Sequence, residues 1–252
     1  MTRSASRLIR RGQPCTATPA GERLARHAEA LTLLEKGLAT DLKGMASQPA
    51  ACLRLAVNAD SLATWLLPAL AAVPDLLFDL VVDDQDHSAD WLRRGEVLAA
   101  VTAAGRAVAG CDSHALGSLR YLATASPAFV ARHFEGGVTA DTLSRAPTLV
   151  FNAKDRLQRD WMAALTGQTL DPPGHRIASS QGFVDAALLG LGWGMNPAVL
   201  VQGHIAAGRL IELRPDSPMN VALCWQVARV TAPSLAGLTQ AIRQAAAQVL
   251  TP

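Results

Sequence analysis

Apolar and other residues alternate over residues 53–57 (LRLAV), as they do in a half-buried β-strand. The segment 58–61 (NADS) then supplies caps for a helix whose apolar positions follow over 62–70. A helix that begins there leaves its first N–H groups without helical partners, and its macrodipole favours negative charge at that end. The pattern therefore predicts a strand-to-helix junction that is suited to binding a carboxylate.

The same succession of strands and helices continues along the chain and predicts an α/β fold. Further strands are predicted at 77–82, 96–102, 119–124, 148–151, 209–213 and 221–228. Further helices are predicted at 86–94, 127–134 and 157–165, from the capping residues 179–181 to Leu191, and at 233–250. Such alternation favours a parallel or mixed sheet with helices on both faces, in which ligands bind beyond the carboxyl ends of the strands.

Polar side chains at the predicted strand ends are the candidate ligand contacts. Ser61 and Thr64 are one helical turn apart, so both can face one ligand at the start of the first helix. Asp84 follows the second strand and can pair with an ammonium or guanidinium group, and Thr102 ends the third strand. A simpler interpretation exists for three of them, namely helix capping for Ser61 and Thr64 and a solvated strand end for Asp84.

A second strand-to-helix junction at residues 176–181 resembles the first one. Ser180 and Gln181 lie at the start of its helix and complete the predicted ring of ligand contacts. Two lobes that each place a polar helix N-terminus in a shared cleft are suited to holding an amino acid. The final helix is long enough to return over the first lobe.

No catalytic or metal-binding motif accompanies these candidates. Ser61 lacks the G-x-S-x-G context of a nucleophile, and no motif places a histidine where it can activate the hydroxyl. The four cysteines and six histidines are scattered, without the spacing of a metal or redox site. The glycine run 190–194 follows a helix instead of a strand, and residues 196–197 are expected to begin the next helix, so the run is interpreted as a crossover turn. We expect neither enzymatic activity nor a cofactor.

The composition is typical of a globular protein. Half of the 252 residues are hydrophobic and 17% are charged, which excludes a wholly disordered chain. No uninterrupted apolar run of about 18 residues is present, so we expect a cytoplasmic protein without a membrane partner. Within residues 1–26, six arginines stand against one acidic residue, which predicts contact with a polyanion at this end.

Residues 18–46 are predicted to form one long helix. Threonine followed by proline marks its start. Positions 24, 31, 38 and 45 are leucine or methionine, a heptad spacing that is typical of a helix paired with another helix. The same spacing is compatible with an amphipathic helix packed on its own domain. The periodicity alone leaves these two alternatives open.

Several segments together resemble the LysR-type transcriptional regulators, and among them the lysine- and arginine-responsive subgroup called ArgP or LysG. The segments are QPCTATPAG at 13–21, LAVNADSLATWLLP at 55–68, RRGEV at 93–97 and GLGWGMNP at 190–197. They cover nearly the whole chain, and NADSLATW is the most specific part.

The resemblance implies a winged helix-turn-helix, a dimerising linker helix and a two-lobed effector domain of the periplasmic-binding-protein type 2 class. Residues 1–17 then correspond to the wing, a remnant of the DNA-binding domain, and 18–49 to the linker helix. Of the two interpretations of the heptad pattern, the resemblance favours dimerisation. Lobe I is expected at 50–117 plus 230–252 and lobe II at 118–229, joined by two crossing strands.

The function implied by the resemblance is a DNA-binding regulator that senses lysine or arginine and controls genes of amino-acid export or biosynthesis. The helices that precede the wing in this family have no counterpart here, and we expect a start codon that is assigned too late. Arg7, Arg10 and Arg11 are expected to contact DNA phosphates, weakly and without sequence selectivity. The expected partners are a basic amino acid, DNA and a second copy of the chain, with the choice between dimer and tetramer left open. A stand-alone amino-acid-binding module that has lost specific DNA binding is the alternative.

Overall fold

The computed structural model of the chain describes residues 7–41, 51–83, 88–103 and 105–252, of which 36–41 are described as backbone only. The strands are β1 (Ile9–Arg10), β2 (Thr16–Ala17), β3 (Ala51–Val57), β4 (Leu76–Val82), β5 (Ala99–Ala103), β6 (Cys111–Ala125), β7 (Thr148–Val150), β8 (Gly174–Arg176), β9 (Gly194–Pro197), β10 (Ile211–Glu212) and β11 (Met219–Ala228). The helices are α1 (Pro19–Asp41), α2 (Ala59–Ser61), α3 (Leu67–Ala71), α4 (Ser88–Arg93), α5 (Pro127–His133), α6 (Ala140–Arg145), α7 (Leu157–Thr166), α8 (Ser180–Leu188), α9 (Ala198–Ala206) and α10 (Ala236–Val249), the last preceded by a 3₁₀ turn (Pro233–Leu235). Of the helices in these ranges, none is long and apolar enough to cross a bilayer.

Helix α1 presents two different faces. Leu33 is 1% exposed on one of them, where the helix packs against β3 and the 3₁₀ turn. Leu24 and Leu31 are 52% and 45% exposed. Nine residues separate Leu24 from Leu33, which places the two side chains on opposite sides of an α-helix. The helix therefore packs on its own domain through one face and exposes two leucines of the heptad pattern on the other.

The chain turns from β3 directly into a helix, as the first sequence pattern predicts. Asn58 has extended backbone, and α2, a π-helical turn (Leu62–Leu66) and α3 then run on as one helix over 59–71, since the backbone stays right-handed throughout. Pro68 has no N–H to donate to a carbonyl of the preceding turn, and the widened π-helical turn lies just before it. Trp65 is buried on the inner face of this helix.

One mixed sheet runs through both lobes. Its strand order is β10-β6-β11-β5-β3-β4, with β9 paired to β6 as well. Strand β3 is parallel to β4 and β5, whereas β11 is antiparallel to β5 and β6. Strands β6 and β11, of 15 and 10 residues, cross between the lobes. Strand β11 pairs with β5 of lobe I, and strand β6 pairs with β9 and β10 of lobe II.

The architecture is the two-lobed, type 2 periplasmic-binding-protein class that the resemblance implies. Lobe I contains β3–β5, the 59–71 helix, α4 and α10. Lobe II contains β7–β10 and α5–α9. The residue boundaries expected for the lobes stay a prediction.

The core is built around large aromatic side chains. The largest fully buried ones include Tyr121, Trp65, Trp161, Trp193 and Trp225. In lobe II the rings of Trp161 and Trp193 lie 5.2 Å apart between centroids. In lobe I the indole Nε1 of Trp225 donates a hydrogen bond to Thr239 Oγ1 on α10 at 3.0 Å. Helix α10 also packs on the 59–71 helix, so the final helix covers lobe I as predicted.

The glycine run 190–194 forms the predicted crossover turn, which follows α8 and leads into β9 at Gly194. Gly190 has a φ of +77°, a left-handed conformation that glycine adopts without steric cost. A Cβ on Gly194 would lie 2.4 Å from Cε1 of Phe183, so close packing requires glycine there. The expectation that residues 196–197 begin the next helix is wrong, because they extend β9, which pairs with β6, and α9 begins only after them.

Candidate functional site

A cavity of about 330 Å³ lies between the two lobes, a size within the range of small-molecule sites. Lobe I lines it with residues at the carboxyl ends of β3, β4 and β5. Lobe II contributes parts of the segment 151–160, the start of α8 and β9, and the crossing strand β11 contributes 219–222. Because β3 is the parallel neighbour of both β4 and β5, the carboxyl ends of the three strands meet at one edge of the sheet.

Asp60 of lobe I contacts the crossing strand β6 and lobe II with a single carboxylate. It lies in the first turn of the 59–71 helix and lines the cavity. Its Oδ2 accepts a hydrogen bond from the Tyr121 hydroxyl at 2.7 Å, and its Oδ1 accepts one from the Ser180 hydroxyl of lobe II at 2.6 Å. Both donors are neutral hydroxyls, so they orient the carboxylate without cancelling its charge.

Asp155 places a second carboxylate at the cavity from the opposite lobe. Its Oδ2 accepts a hydrogen bond from the backbone N–H of Phe151 at 2.8 Å, and its Oδ1 accepts one from Leu157 at 3.1 Å. Burial raises the pKa of the Asp155 carboxyl above its usual value, the two backbone N–H groups oppose that shift, and the negative charge of Asp60 adds to it. Asp60 and Asp155 thus place like charges from the two lobes in the lining of one cavity.

Asp83 joins the lobes through an ion pair. Its Oδ1 lies 2.9 Å from the Nζ of Lys154, which belongs to lobe II. Its Oδ2 accepts a hydrogen bond from the indole Nε1 of Trp91 at 2.9 Å. The guanidinium of Arg94 lies over the Trp91 ring, 4.8 Å from its centroid. Asp83 is thus held on one oxygen from within lobe I and on the other from across the cleft.

The cavity lining carries more negative than positive charge. Its acidic residues are Asp60, Asp83, Asp155 and Asp160, and its basic residues are Lys154 and Arg156. Arg156 pairs with Asp160 within lobe II at 3.4 Å. In the described ranges no three histidine, cysteine, aspartate or glutamate side chains converge as a metal site. The excess of negative charge fits a ligand with positive charge.

Two buried amides add neutral hydrogen-bonding groups to the lining. Asn58 is 2% exposed, and neither its Nδ2 nor its Oδ1 has a hydrogen-bond partner. Asn196 is fully buried, with Nδ2 donating to Thr124 Oγ1 at 3.0 Å and Oδ1 without a partner. Buried polar groups are rarely left unpaired in proteins, so these amides are suited to pairing with a polar ligand.

Among the residues predicted from sequence, Ser180 lines the cavity, whereas two others from the first junction do not. Ser61 is fully buried, and its Oγ has no hydrogen-bond partner. The Oγ1 of Thr64 donates to the carbonyl of Asp60 at 2.6 Å, so it bonds within its own helix. The capping role considered for Ser61 and Thr64 is not observed either, since no side chain caps this helix.

Thr102 and Gln181 also lie outside the cavity lining. Thr102 is 1% exposed, and its Oγ1 accepts a hydrogen bond from Nε2 of Gln226 at 2.9 Å in the core of the sheet. Gln181 is exposed and donates to Asp185 one turn further along α8, at 3.2 Å. Asp84 lies outside the described residues. Ligand contact by any of the predicted residues stays a prediction.

The sequence predictions do not name the acidic residues of the cavity lining. Asp60 and Asp83 directly precede the predicted Ser61 and Asp84, so the strand ends that the sequence indicates do lie at the cavity. The segment that contains Asp155 has no periodicity that marks it as part of a site. A cluster of charged and polar residues at 152–156 (NAKDR), between a strand and a helix, is the signal that the sequence contained.

The basic start of the chain is accessible in the structure. Arg7, Arg10 and Arg11 are all exposed, with Arg10 in β1. The Oγ1 of Thr18 donates to the carbonyl of Arg7 at 2.6 Å, which fixes this segment against the start of α1. Contact of these arginines with DNA phosphates stays a prediction.

Comparison with known proteins gives consistent matches over most of the chain. Residues 46–247 match the LysR substrate binding domain family. The chain is 39% identical over 239 residues to the HTH-type transcriptional regulator LysG of Mycobacterium tuberculosis, covering 95% of this chain and 78% of LysG. It is 41% identical over 250 residues to the HTH-type transcriptional regulator ArgP of Pseudomonas fluorescens, covering 96% of this chain and 82% of ArgP.

A solved structure shares the fold. Full-length LysG from Corynebacterium glutamicum, a LysR-type regulator with bound effector arginine, is 34% identical to the chain and has a TM-score of 0.76. The similarity covers 97% of this chain and 84% of that protein.

Proposed function

Because this chain belongs to the LysR family of transcriptional regulators, we propose that its interlobe cavity is the effector site and that the effector is a basic amino acid, arginine or lysine. The observation that carries the proposal is the placement of Asp60 and Asp155, carboxylates of opposite lobes, in the lining of one cavity with excess negative charge. The arginine bound by the related LysG supports the choice of ligand.

The lining offers a complementary group for each charge of a basic amino acid. Such a ligand carries two positive groups and one carboxylate. We assign one positive group to the space between Asp60 and Asp155 and the other to the acidic side of the cavity near Asp83. The ligand carboxylate pairs with the amide of Asn58 or Asn196, at the positive end of the 59–71 helix dipole.

Binding is coupled to the relative position of the lobes. A cation between Asp60 and Asp155 attracts both lobes at once, so it favours the closed arrangement over an open one. A ligand shifts the equilibrium only through a difference in affinity between the two arrangements, and carboxylates on both lobes supply that difference. Closure then alters the geometry of the oligomer on DNA.

The regulator acts as a cytoplasmic homodimer on DNA. Helix α1 supplies the dimer contact through the exposed Leu24 and Leu31. Arg7, Arg10 and Arg11 supply phosphate contacts, which position a protein without specifying sequence. The regulated genes belong to amino-acid export or biosynthesis.

Thermal unfolding with a panel of amino acids tests the choice of effector. L-Arginine or L-lysine, each at about 100 times its own Kd and with the other amino acids at the same concentration, should raise the Tm of the chain by about 5 °C or more. L-Citrulline has the shape of arginine without the side-chain charge, and L-glutamate has the opposite charge, so neither should raise the Tm by more than about 1 °C. Stabilisation by glutamate, or by none of the four, contradicts a basic effector.

As the pH is lowered, the affinity for arginine should begin to fall at a higher pH than it would if Asp155 had the ordinary pKa of an aspartate. Burial raises the pKa of Asp155, so its carboxylate is protonated at a higher pH than an exposed one. A cation bound beside it lowers that pKa again, so binding releases a proton and affinity falls as the pH drops through the raised pKa. In Asp155→Asn this dependence should be lost at pH values above the usual pKa range of aspartate, where ordinary aspartates remain charged.

Isothermal titration at a series of pH values measures this dependence. Asp171→Asn is the matched control, because the Asp171 side chain is 80% exposed and lies outside the cavity lining, so it should keep the wild-type pH profile. Parallel profiles for the wild type and Asp155→Asn would remove Asp155 from the site.

A further inference from the structure

In the Asp83–Lys154 ion pair, an acidic residue of the cavity lining is paired with a cation of the protein itself. Lys154 lies in lobe II and reaches Asp83 of lobe I at 2.9 Å, and both side chains line the cavity. The exposed fraction is 44% for the Lys154 side chain and 21% for that of Asp83. A lysine ammonium thus stands where the cavity would receive the ammonium or guanidinium of a basic amino acid.

Trp91 restricts the way in which Asp83 can respond. The indole Nε1 holds Oδ2 at 2.9 Å, and Arg94 lies on the face of the Trp91 ring. Asp83 therefore presents Oδ1 to the cavity in a fixed direction, and a cation that binds there competes with the Nζ of Lys154.

We propose that Lys154 is a built-in competitor of the effector and determines how strongly the site selects a cationic side chain. The proposal rests on the proposed function, since it concerns the same cavity. Without effector, Lys154 neutralises Asp83. A basic amino acid displaces the Lys154 ammonium with its own side-chain cation, so the affinity gained from the new ion pair is lowered, by about three- to tenfold, through the loss of the partly solvated Lys154 pair.

The competitor role predicts which ligands are affected when the charge of Lys154 is removed. Asp83 then has no Lys154 ammonium to exchange, so a cationic side chain binds without the loss of that pair. A neutral side chain makes no ion pair with Asp83 in either case. The gain is therefore confined to cationic ligands, and a partly solvated ion pair supports a gain of about three- to tenfold in affinity.

Arg156 offers a matched comparison within the same segment. It lines the cavity as Lys154 does, but its partner is Asp160 of the same lobe, at 3.4 Å. Its side chain is 75% exposed and its ion pair lies within lobe II, so removing it changes the charge of the lining but leaves the Asp83–Lys154 pair between the lobes intact.

Isothermal titration of the full chain with L-arginine and L-citrulline tests the proposal. In Lys154→Met the affinity for arginine should rise by about three- to tenfold, whereas the affinity for citrulline should stay within about twofold. Lys154→Arg keeps a cation against Asp83 and should therefore show none of the gain in arginine affinity, and Arg156→Met should change arginine affinity by less than about twofold. Circular dichroism verifies that each variant is folded, which the exposure of Lys154 and Arg156 favours.

Three outcomes overturn the proposal. If Lys154→Met binds arginine more weakly, Lys154 is a ligand for the effector carboxylate instead of a competitor. If citrulline gains as much as arginine, Lys154 controls closure in general and not selectivity. If the wild type binds neither arginine nor lysine, the proposed function itself fails; in the first two cases arginine still binds the wild type and only the competitor role is lost.

Discussion

Asp60→Asn should reduce the affinity for arginine by about 30-fold or more, the effect of about 2 kcal/mol expected when one partner of a partly buried charge pair is removed. The Asp60 carboxylate is oriented by the hydroxyls of Tyr121 and Ser180, which can also bond to an amide, so the substitution removes charge more than structure. Isothermal titration at neutral pH measures the change, and the midpoint of chemical unfolding verifies that the variant is folded.

Asp160→Asn is the control for this prediction. Asp160 also lines the cavity, but Arg156 neutralises it and its side chain is 46% exposed. Its loss should change arginine affinity by less than about threefold, the usual range for an exposed ion pair. Equal losses in Asp60→Asn and Asp160→Asn would mean that only the total charge of the lining matters. Wild-type affinity in Asp60→Asn would place the cation elsewhere.

Leu31→Glu should weaken the homodimer by about 100-fold or more, since each copy loses a buried leucine and the two-fold symmetry of a dimer doubles the loss. Leu31 is 45% exposed in the single chain and lies on the face of α1 opposite to the buried Leu33, so the substitution leaves the packing of α1 on lobe I intact. Sedimentation velocity over a range of concentrations measures the dimer fraction. Binding to duplex DNA should fall in parallel.

Ala25→Glu is the matched control for the dimer contact. Ala25 is exposed on the same helix but next to the heptad positions, so the variant adds the same charge at the edge of the contact. It should remain dimeric at concentrations where Leu31→Glu is a monomer. A wild-type chain that is monomeric at micromolar concentration, or a Leu31→Glu variant that stays dimeric, contradicts the role of α1.

Local signals predicted the elements of the fold well. The Thr18–Pro19 start of α1 is confirmed, because Thr18 Oγ1 accepts a hydrogen bond from the N–H of Gly21 at 3.2 Å. The helix after Asn58 is confirmed, although no side chain caps it, and the crossover turn is confirmed with Gly190 in the left-handed conformation. Caps, prolines and glycines act through the nearest few residues, so their effect can be read from a short stretch of sequence.

The orientation of side chains at the cavity could not be predicted in the same way. The carboxyl end of β5 was located correctly, but Thr102 bonds to Gln226 in the core and its neighbour Ala103 lines the cavity. Neighbouring residues of a strand face opposite sides, so a difference of one position exchanges cavity and core. The same displacement by one position separates Asp60 from the predicted Ser61.

The contribution of lobe II depends on contacts between residues far apart in sequence. Asp155 and Lys154 come from the connection between β7 and α7, and only the packing of the two lobes brings them to Asp60 and Asp83. No spacing or periodicity in one chain encodes such a meeting. The acidic character of the cavity, which carries the choice of effector, is therefore a result of the tertiary structure.

Isothermal titration of the wild-type chain with L-arginine and L-citrulline tests the central claim most directly, since the two ligands differ mainly in one positive charge. Carboxylates from both lobes in one cavity predict that arginine binds at least about 30 times more tightly than citrulline, the loss expected when a partly buried charge pair is broken. Equal affinities for the two ligands, or binding of citrulline alone, would contradict a site built to recognise a cationic side chain.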